Sequence, residues 1–135
     1  MCLIDYADSR VEAYTAKHRV ARKPHVCCEC YRVINAGERY LYQTFVQDGT
    51  AMSFKTCRHC QVGYDWLMGN CGGHMTGCDS LWREMTEHIE EYPDIAFGLR
   101  RIRIGMHRKW QRFDGAGLMP EPPLPRAIAE TMEVA

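Results

Sequence analysis

A chain of 135 residues is the size of one domain, with room for a single modest core. Lys plus Arg number 17 and Asp plus Glu number 17, so no net field draws the chain to nucleic acid or an anionic membrane, and any such contact must rest on local charge. No stretch approaches the ~18 apolar residues of a membrane span, and the opening MCLIDYADSR, with Asp5 and Asp8 and no apolar run, does not have the pattern of a signal peptide.

Residues 1–24 read as an N-terminal helix or extended arm. Asp8 or Ser9 would cap it, and Val11, Tyr14 and Ala16 give a weak stripe. Ala21-Arg22-Lys23-Pro24 ends it, since the residue before a proline is pushed toward extended backbone. Residues 31–56 read as β. Asn35-Ala36-Gly37 is a turn, RYLYQTFV (39–46) is rich in aromatic and β-branched residues, and Asp48-Gly49 is a hairpin turn before AMSFKT (51–56).

Helical patterns follow. Val62, Tyr64, Trp66 and Leu67 give the first, closed by Gly69-Asn70. CGGHMTGC (71–78) is a loop. SLWREMTEHIEEY (80–92) places Leu81, Met85, His88, Ile89 and Tyr92 near one face, and Pro93 breaks it. From Ile95 to Phe113 the apolar positions 95, 99, 102, 106, 110 and 113 form a continuous helical stripe. Gly98 and Gly105 weaken that helix by about 1 kcal/mol each relative to Ala, or serve close packing. LMPEPPLP (118–125) is an extended, polyproline-like tail. The segments are thus an arm (1–24), a metal module (25–70), a loop with two helices packed on it (71–113) and a Pro-rich tail (114–135).

Eight cysteines are many for this length. Without a secretory pattern they point to a reduced, cytoplasmic metal site rather than to a disulfide scaffold. Cys27-x-x-Cys30 precedes the predicted hairpin, and Cys57-x-x-Cys60 follows it and opens a helix, with 26 residues between the pairs. Each Cys-x-x-Cys presents two sulfurs from one tight turn, and Zn²⁺ takes four ligands in a tetrahedron. A hairpin between the pairs returns the second to the first. A helix N-terminus at Cys57 and Cys60 stabilises thiolates through its N–H groups and dipole. Knuckle, hairpin, helix is the order of a treble-clef zinc finger. The fold class expected is therefore α+β: a treble clef, then a helical hairpin and a tail. Cys27, Cys30, Cys57 and Cys60 are the expected ligands of one structural Zn²⁺. Cys28 is left to packing, and His25 and His59 stand beside the ligands. Four protein ligands leave no position for water or substrate, so the site is read as structural and the protein as not an enzyme.

Two further constellations stand out. Cys71, His74 and Cys78 could hold a second metal ion with His88, Cys2 or Cys28 as the fourth ligand, which would allow a metal-dependent enzyme. No glutamate base accompanies them in the His-Glu-x-x-His manner, and His88 is expected in or near the core. A nuclease of the His-Asn-His type would need a histidine on the hairpin, and residues 39–56 have none. Arg100, Arg101, Arg103, Arg108, Lys109 and Arg112 gather without an intervening acid. They read as a solvated face, as partners for the glutamates of 84–91, as a protein-docking face or as a phosphate-contacting one.

ARKPHVCCECYRVINAGERY, FKTCRHC, WLMGNCGG and GLRRIRIGMHRKWQRFDGAGLMP together resemble small zinc-binding proteins of tailed bacteriophages and prophages, over roughly residues 20–120. The resemblance implies a phage source and a metal held by Cys27, Cys30, Cys57 and Cys60. It implies no reaction. The function expected is that of a non-enzymatic, zinc-stabilised protein that engages a host or phage protein, possible inhibition of host machinery included. Nucleic-acid binding through 100–112 is the first alternative.

Overall fold

The structure, a computed structural model, describes residues 11–71, 80–113 and 117–123. It is α+β. The strands are β1 (Val11–Val20), β2 (His25–Val26), β3 (Val33–Ile34), β4 (Arg39–Gln47) and β5 (Thr50–Cys57), and the helices are α1 (Arg58–Cys71), α2 (Ser80–Glu91) and α3 (Ala96–His107). β1, β4 and β5 form an antiparallel sheet with β4 in the centre, and β2 and β3 pair separately.

Of the helix and the extended arm expected for 1–24, residues 11–20 take the extended form, as strand β1. Val11, Tyr14, Thr15 and Val20 suit a pleated surface better than a helix. The open edge of the β4–β5 hairpin supplies the ladder partners, from Val20↔Arg39 to Val11↔Gln47. The hairpin turns at Asp48 and Gly49, both at positive φ, as a tight two-residue reversal requires.

The core lies between α1, α2 and α3, where Leu67, Leu81, Met85, Leu99 and Ile102 are fully buried. Pro93 ends α2 as expected and starts a 3₁₀ turn, Pro93–Ile95, that leads into α3. The predicted stripe from 95 to 113 is one face in space but not one helix. α3 stops at His107, Lys109 and Trp110 take positive φ, and a 3₁₀ turn, Gln111–Phe113, follows. The reversal folds the Trp110 indole back over Gly105, and the Trp110 N–H donates to the Gly105 carbonyl at 2.8 Å. Gly105 thus serves close approach: a Cβ there would lie 1.9 Å from the indole ring. Gly98 does the same for Trp66, whose ring would meet a Cβ at 2.4 Å.

Residues 117–123 have no helix or strand, yet they are docked rather than trailing. Met119 is buried and its N–H donates to His59 Nδ1 at 3.0 Å, while Trp66 Nε1 donates to the Pro122 carbonyl at 3.0 Å. No helix among the described residues is long and apolar enough to cross a membrane.

Gly105→Ala is expected to lower stability by about 1 kcal/mol, because an overpacking cost of about 1–3 outweighs the helix-propensity gain of about 1. Gly69→Ala, whose Cβ would meet nothing within 4 Å, should raise it by about 0.5–1 kcal/mol. Denaturant midpoints of the two variants check the opposite signs.

Candidate metal centre

The first pair of cysteines sits on a knuckle. The Cys27 N–H donates to the Arg32 carbonyl at 2.9 Å, and the Tyr31 N–H returns to the Cys27 carbonyl at 3.0 Å. Tyr31 makes the reversal at positive φ, a conformation that costs a non-glycine residue about 1 kcal/mol or more. The second pair lies at the strand-to-helix junction, with Cys57 closing β5 and Cys60 in the first turn of α1. The hairpin brings the pairs together: the Cys57 N–H donates to Cys27 Sγ at 3.3 Å.

The four sulfurs lie within 4.8 Å of one another and all four residues are buried. They are free cysteines, not disulfides. A tetrahedron with Zn–S bonds of about 2.3 Å has edges of about 3.8 Å. Cys30 Sγ and Cys57 Sγ stand 3.7 Å apart. The donor set and its dimensions therefore fit one metal ion of the zinc type. Among the described residues it is the one group of three or more His, Cys, Asp or Glu side chains so placed.

The surroundings favour sulfur anions. Besides Cys57, the Glu29 N–H donates to Cys27 Sγ at 3.4 Å, the Cys60 N–H lies 3.5 Å from Cys57 Sγ, and Trp110 Nε1 donates to Cys60 Sγ at 3.3 Å. Contacts from Cys30, Cys57 and Cys60 pull the Cys27 thiol well below its ordinary range. The anion formed there pushes Cys57 up, and burial pushes Cys60 up. A divalent cation at the centre would let the thiols ionise together.

Neighbouring residues tie the cage to the rest of the fold. Glu29, buried within the knuckle, accepts the Leu81 N–H at 3.2 Å and so places a carboxylate at the N-terminus of α2. Sequence reasoning missed it, because the contact spans 52 residues. Arg32, also buried, pairs with Glu38 at 2.9 Å. Burial works against the Glu38 carboxylate, but the Asn35 N–H at 2.6 Å and the Arg32 guanidinium outweigh it and hold its pKa below the ordinary 4.5. His59 is buried against Trp110 and Phe113 and accepts from Met119, outside the cage. His25 is half-exposed and packs on Tyr40.

Cys28 corrects its assignment to packing. Its sulfur faces Thr56 Oγ1 at 3.7 Å and is engaged in a disulfide. Of the second candidate metal set, His74 and Cys78 lie outside the described residues, as does Cys2, and Cys71 is seen only as the last residue of α1. His88 is 1% exposed and its Nδ1 donates to the Glu84 carbonyl at 2.6 Å, a core role.

The basic run divides. Arg103 turns to α2, but to Thr86 Oγ1 at 3.4 Å and to the face of Trp82 rather than to a glutamate. Leu81, Met85 and His88 occupy the α2 surface that packs inward, which leaves Glu87, Glu90 and Glu91 exposed. Arg100, Arg101, Arg108, Lys109 and Arg112 are exposed, with no carboxylate within 4 Å among the described residues. The expected pairing with the acidic helix is therefore not seen for these five, and the face is solvated.

Cys57→Ser is expected to lose the metal and unfold the module, whereas Cys28→Ser retains the metal. Metal content by elemental analysis, beside circular dichroism, distinguishes them. Glu38→Gln should cost about 1 kcal/mol at neutral pH, a figure reduced by the partial exposure of the pair. Because the folded-state pKa is depressed, this contribution is full above 4.5 and fades as pH falls through the lowered value. The stability difference between wild type and variant, followed by urea titration from neutral pH down, should therefore shrink in acid.

No family model, curated protein or solved structure matches the chain.

Proposed function

We propose that the chain is a zinc-stabilised, non-enzymatic binding protein of the phage and prophage type, which engages a host or phage protein. The metal module is of the treble-clef kind: a knuckle, a hairpin and a helix whose first turn supplies the last ligand. The observation that carries the reading is the closed cage of Cys27, Cys30, Cys57 and Cys60. Four buried protein sulfurs use all the positions of a tetrahedral zinc, so the ion supplies folding free energy rather than an open Lewis-acid site.

Binding is assigned to the outer face of α3. Phe97, Arg101, Ile104 and Arg108 follow one another at helical spacing along that face. Phe97 is 63% and Ile104 54% exposed, and the Arg101 guanidinium lies over the Phe97 ring. A 390 Å³ cavity continues the stripe, floored by Ile104, Trp110, Phe113, Met119 and Pro122. Apolar anchors flanked by guanidinium groups with no carboxylate within 4 Å among the described residues suit an acidic, amphipathic protein segment. Those same anchors set protein ahead of nucleic acid as the ligand of this helix.

The test is capture from nuclease-treated bacterial lysate by immobilised wild type and by Phe97→Glu/Ile104→Glu. A protein retained by the wild type and lost by the double variant, at equal zinc content, is the expected result. Capture that disappears on nuclease treatment, or that the double variant retains in full, would overturn the assignment.

A further inference from the structure

A second charged surface lies on the sheet, away from α3. Directly paired residues of an antiparallel sheet point to the same face. The register therefore gives three rows on one face: Thr15, Thr44 and Ser53; Lys17, Tyr42 and Lys55; Arg19, Tyr40 and Cys57. Two contacts bear this out. The Thr15 and Thr44 hydroxyls are hydrogen-bonded, and the Arg19 guanidinium lies 4.0 Å over the Tyr42 ring. The opposite face is aromatic, with Phe45 between Tyr14 and Phe54. The two faces thus differ in chemistry: Tyr14, Phe45 and Phe54 cluster on one, while the other carries the cations, the hydroxyls and the Tyr40 and Tyr42 rings.

The cationic side is concave. Arg19, Arg22, Lys23, Tyr40, Tyr42 and Lys55 line most of a broad cleft of about 1180 Å³. No carboxylate lines it among the described residues. Glu38, whose backbone pairs with Ala21 beside the cleft, directs its carboxylate to Arg32 and the Asn35 N–H instead. In a chain of zero net charge this is a strongly one-sided concentration of cations. Like charges gathered on one sheet destabilise the free protein, and a bound polyanion would reverse that cost.

We propose that this cleft binds single-stranded nucleic acid, with Arg19, Arg22, Lys23 and Lys55 of the cleft and Lys17 beside it on the same face meeting the phosphates, and the Arg19–Tyr42 pair as a platform for an unstacked base. Three features select this ligand. Protein partners need an apolar anchor, and the one large exposed aliphatic side chain lining the cleft is Val20 at its edge. Phosphate contacts need only cations and hydroxyl or N–H donors, which the Lys and Thr/Ser rows supply. A guanidinium held over a tyrosine ring presents a cationic surface that a base can cover only when it is out of a duplex. The proposal does not depend on protein docking at α3.

The experiment uses the full, zinc-loaded chain and fluorescence anisotropy with labelled oligo(dT), oligo(U), a duplex of equal length and polyglutamate, across a salt series. Oligonucleotide binding that weakens with salt is expected. Lys17→Ala/Arg19→Ala/Lys55→Ala should lower affinity at least about tenfold at low salt. It should also reduce the log–log salt slope by about 2, from three contacts at about 0.7 each. Arg100→Ala/Arg101→Ala/Arg108→Ala should leave both within about twofold. Lys17→Glu alone, at an exposed position, gives the same direction should the triple variant fail to retain zinc. The oligo(dT) and oligo(U) arms decide between DNA and RNA. No binding by the wild type at low salt, equal or tighter binding of the duplex or polyglutamate, or loss of affinity in the α3 variant instead would each overturn the proposal.

Discussion

Thiolates repel one another, and burial sharpens the repulsion, so a cage of four needs a cation at its centre. The knuckle, the end of β5 and the first turn of α1 bring the sulfurs of Cys27, Cys30, Cys57 and Cys60 within 4.8 Å. Backbone N–H groups of residues 29, 57 and 60 and the indole N–H of Trp110 aim at those sulfurs. The cage is thus where the sheet, the first helix and the end of the third helix meet. Glu29 extends it to the second helix by accepting the Leu81 N–H.

Such an arrangement compensates for a small core. β1 is exposed over all the residues whose side chains are described, and much of the hairpin is open to water. Buried apolar side chains are concentrated among the three helices. Hydrophobic burial can hold the helices to one another, but it offers little at the knuckle, where a metal ion held by the four cysteines would supply folding free energy in its place. This division leaves β1, exposed along its described side chains, largely free of a packing role, so cations and hydroxyls can line it at a modest electrostatic cost.

The parts of this architecture that were legible in the sequence are those written in local spacing. The Cys-x-x-Cys pairs, the Asp48-Gly49 turn and the α2 face of Leu81, Met85 and His88 each depend on neighbours a few residues away. The misses depend on partners far along the chain. β1 read as a weak helix because Val11, Tyr14 and Ala16 carry little periodicity of their own, and its conformation is set by pairing with β4. The stripe at 95–113 continued past the true helix end because Trp110 and Phe113 face the core whether or not the backbone remains helical. The supposed tail is held by hydrogen bonds from Met119 to His59 and from Trp66 to Pro122, which no spacing within 118–125 reveals. The cationic cleft was hidden by a net charge of zero and by lying across three strands.

The indole N–H that reaches Cys60 comes from 50 residues further along, and the contacts of Trp66 with Pro122 and of His59 with Met119 span 56 and 60 residues. Loops of that length close at an entropic cost, and long-range contacts form late unless something fixes one end early. The cysteine pairs are separated by only the hairpin, so they can gather first around a metal ion and present α1 already anchored. The C-terminal third then has a preformed surface to dock against. Contact order therefore rises along the chain, from the short loop between the cysteine pairs to the Trp110 turn and residues 117–123.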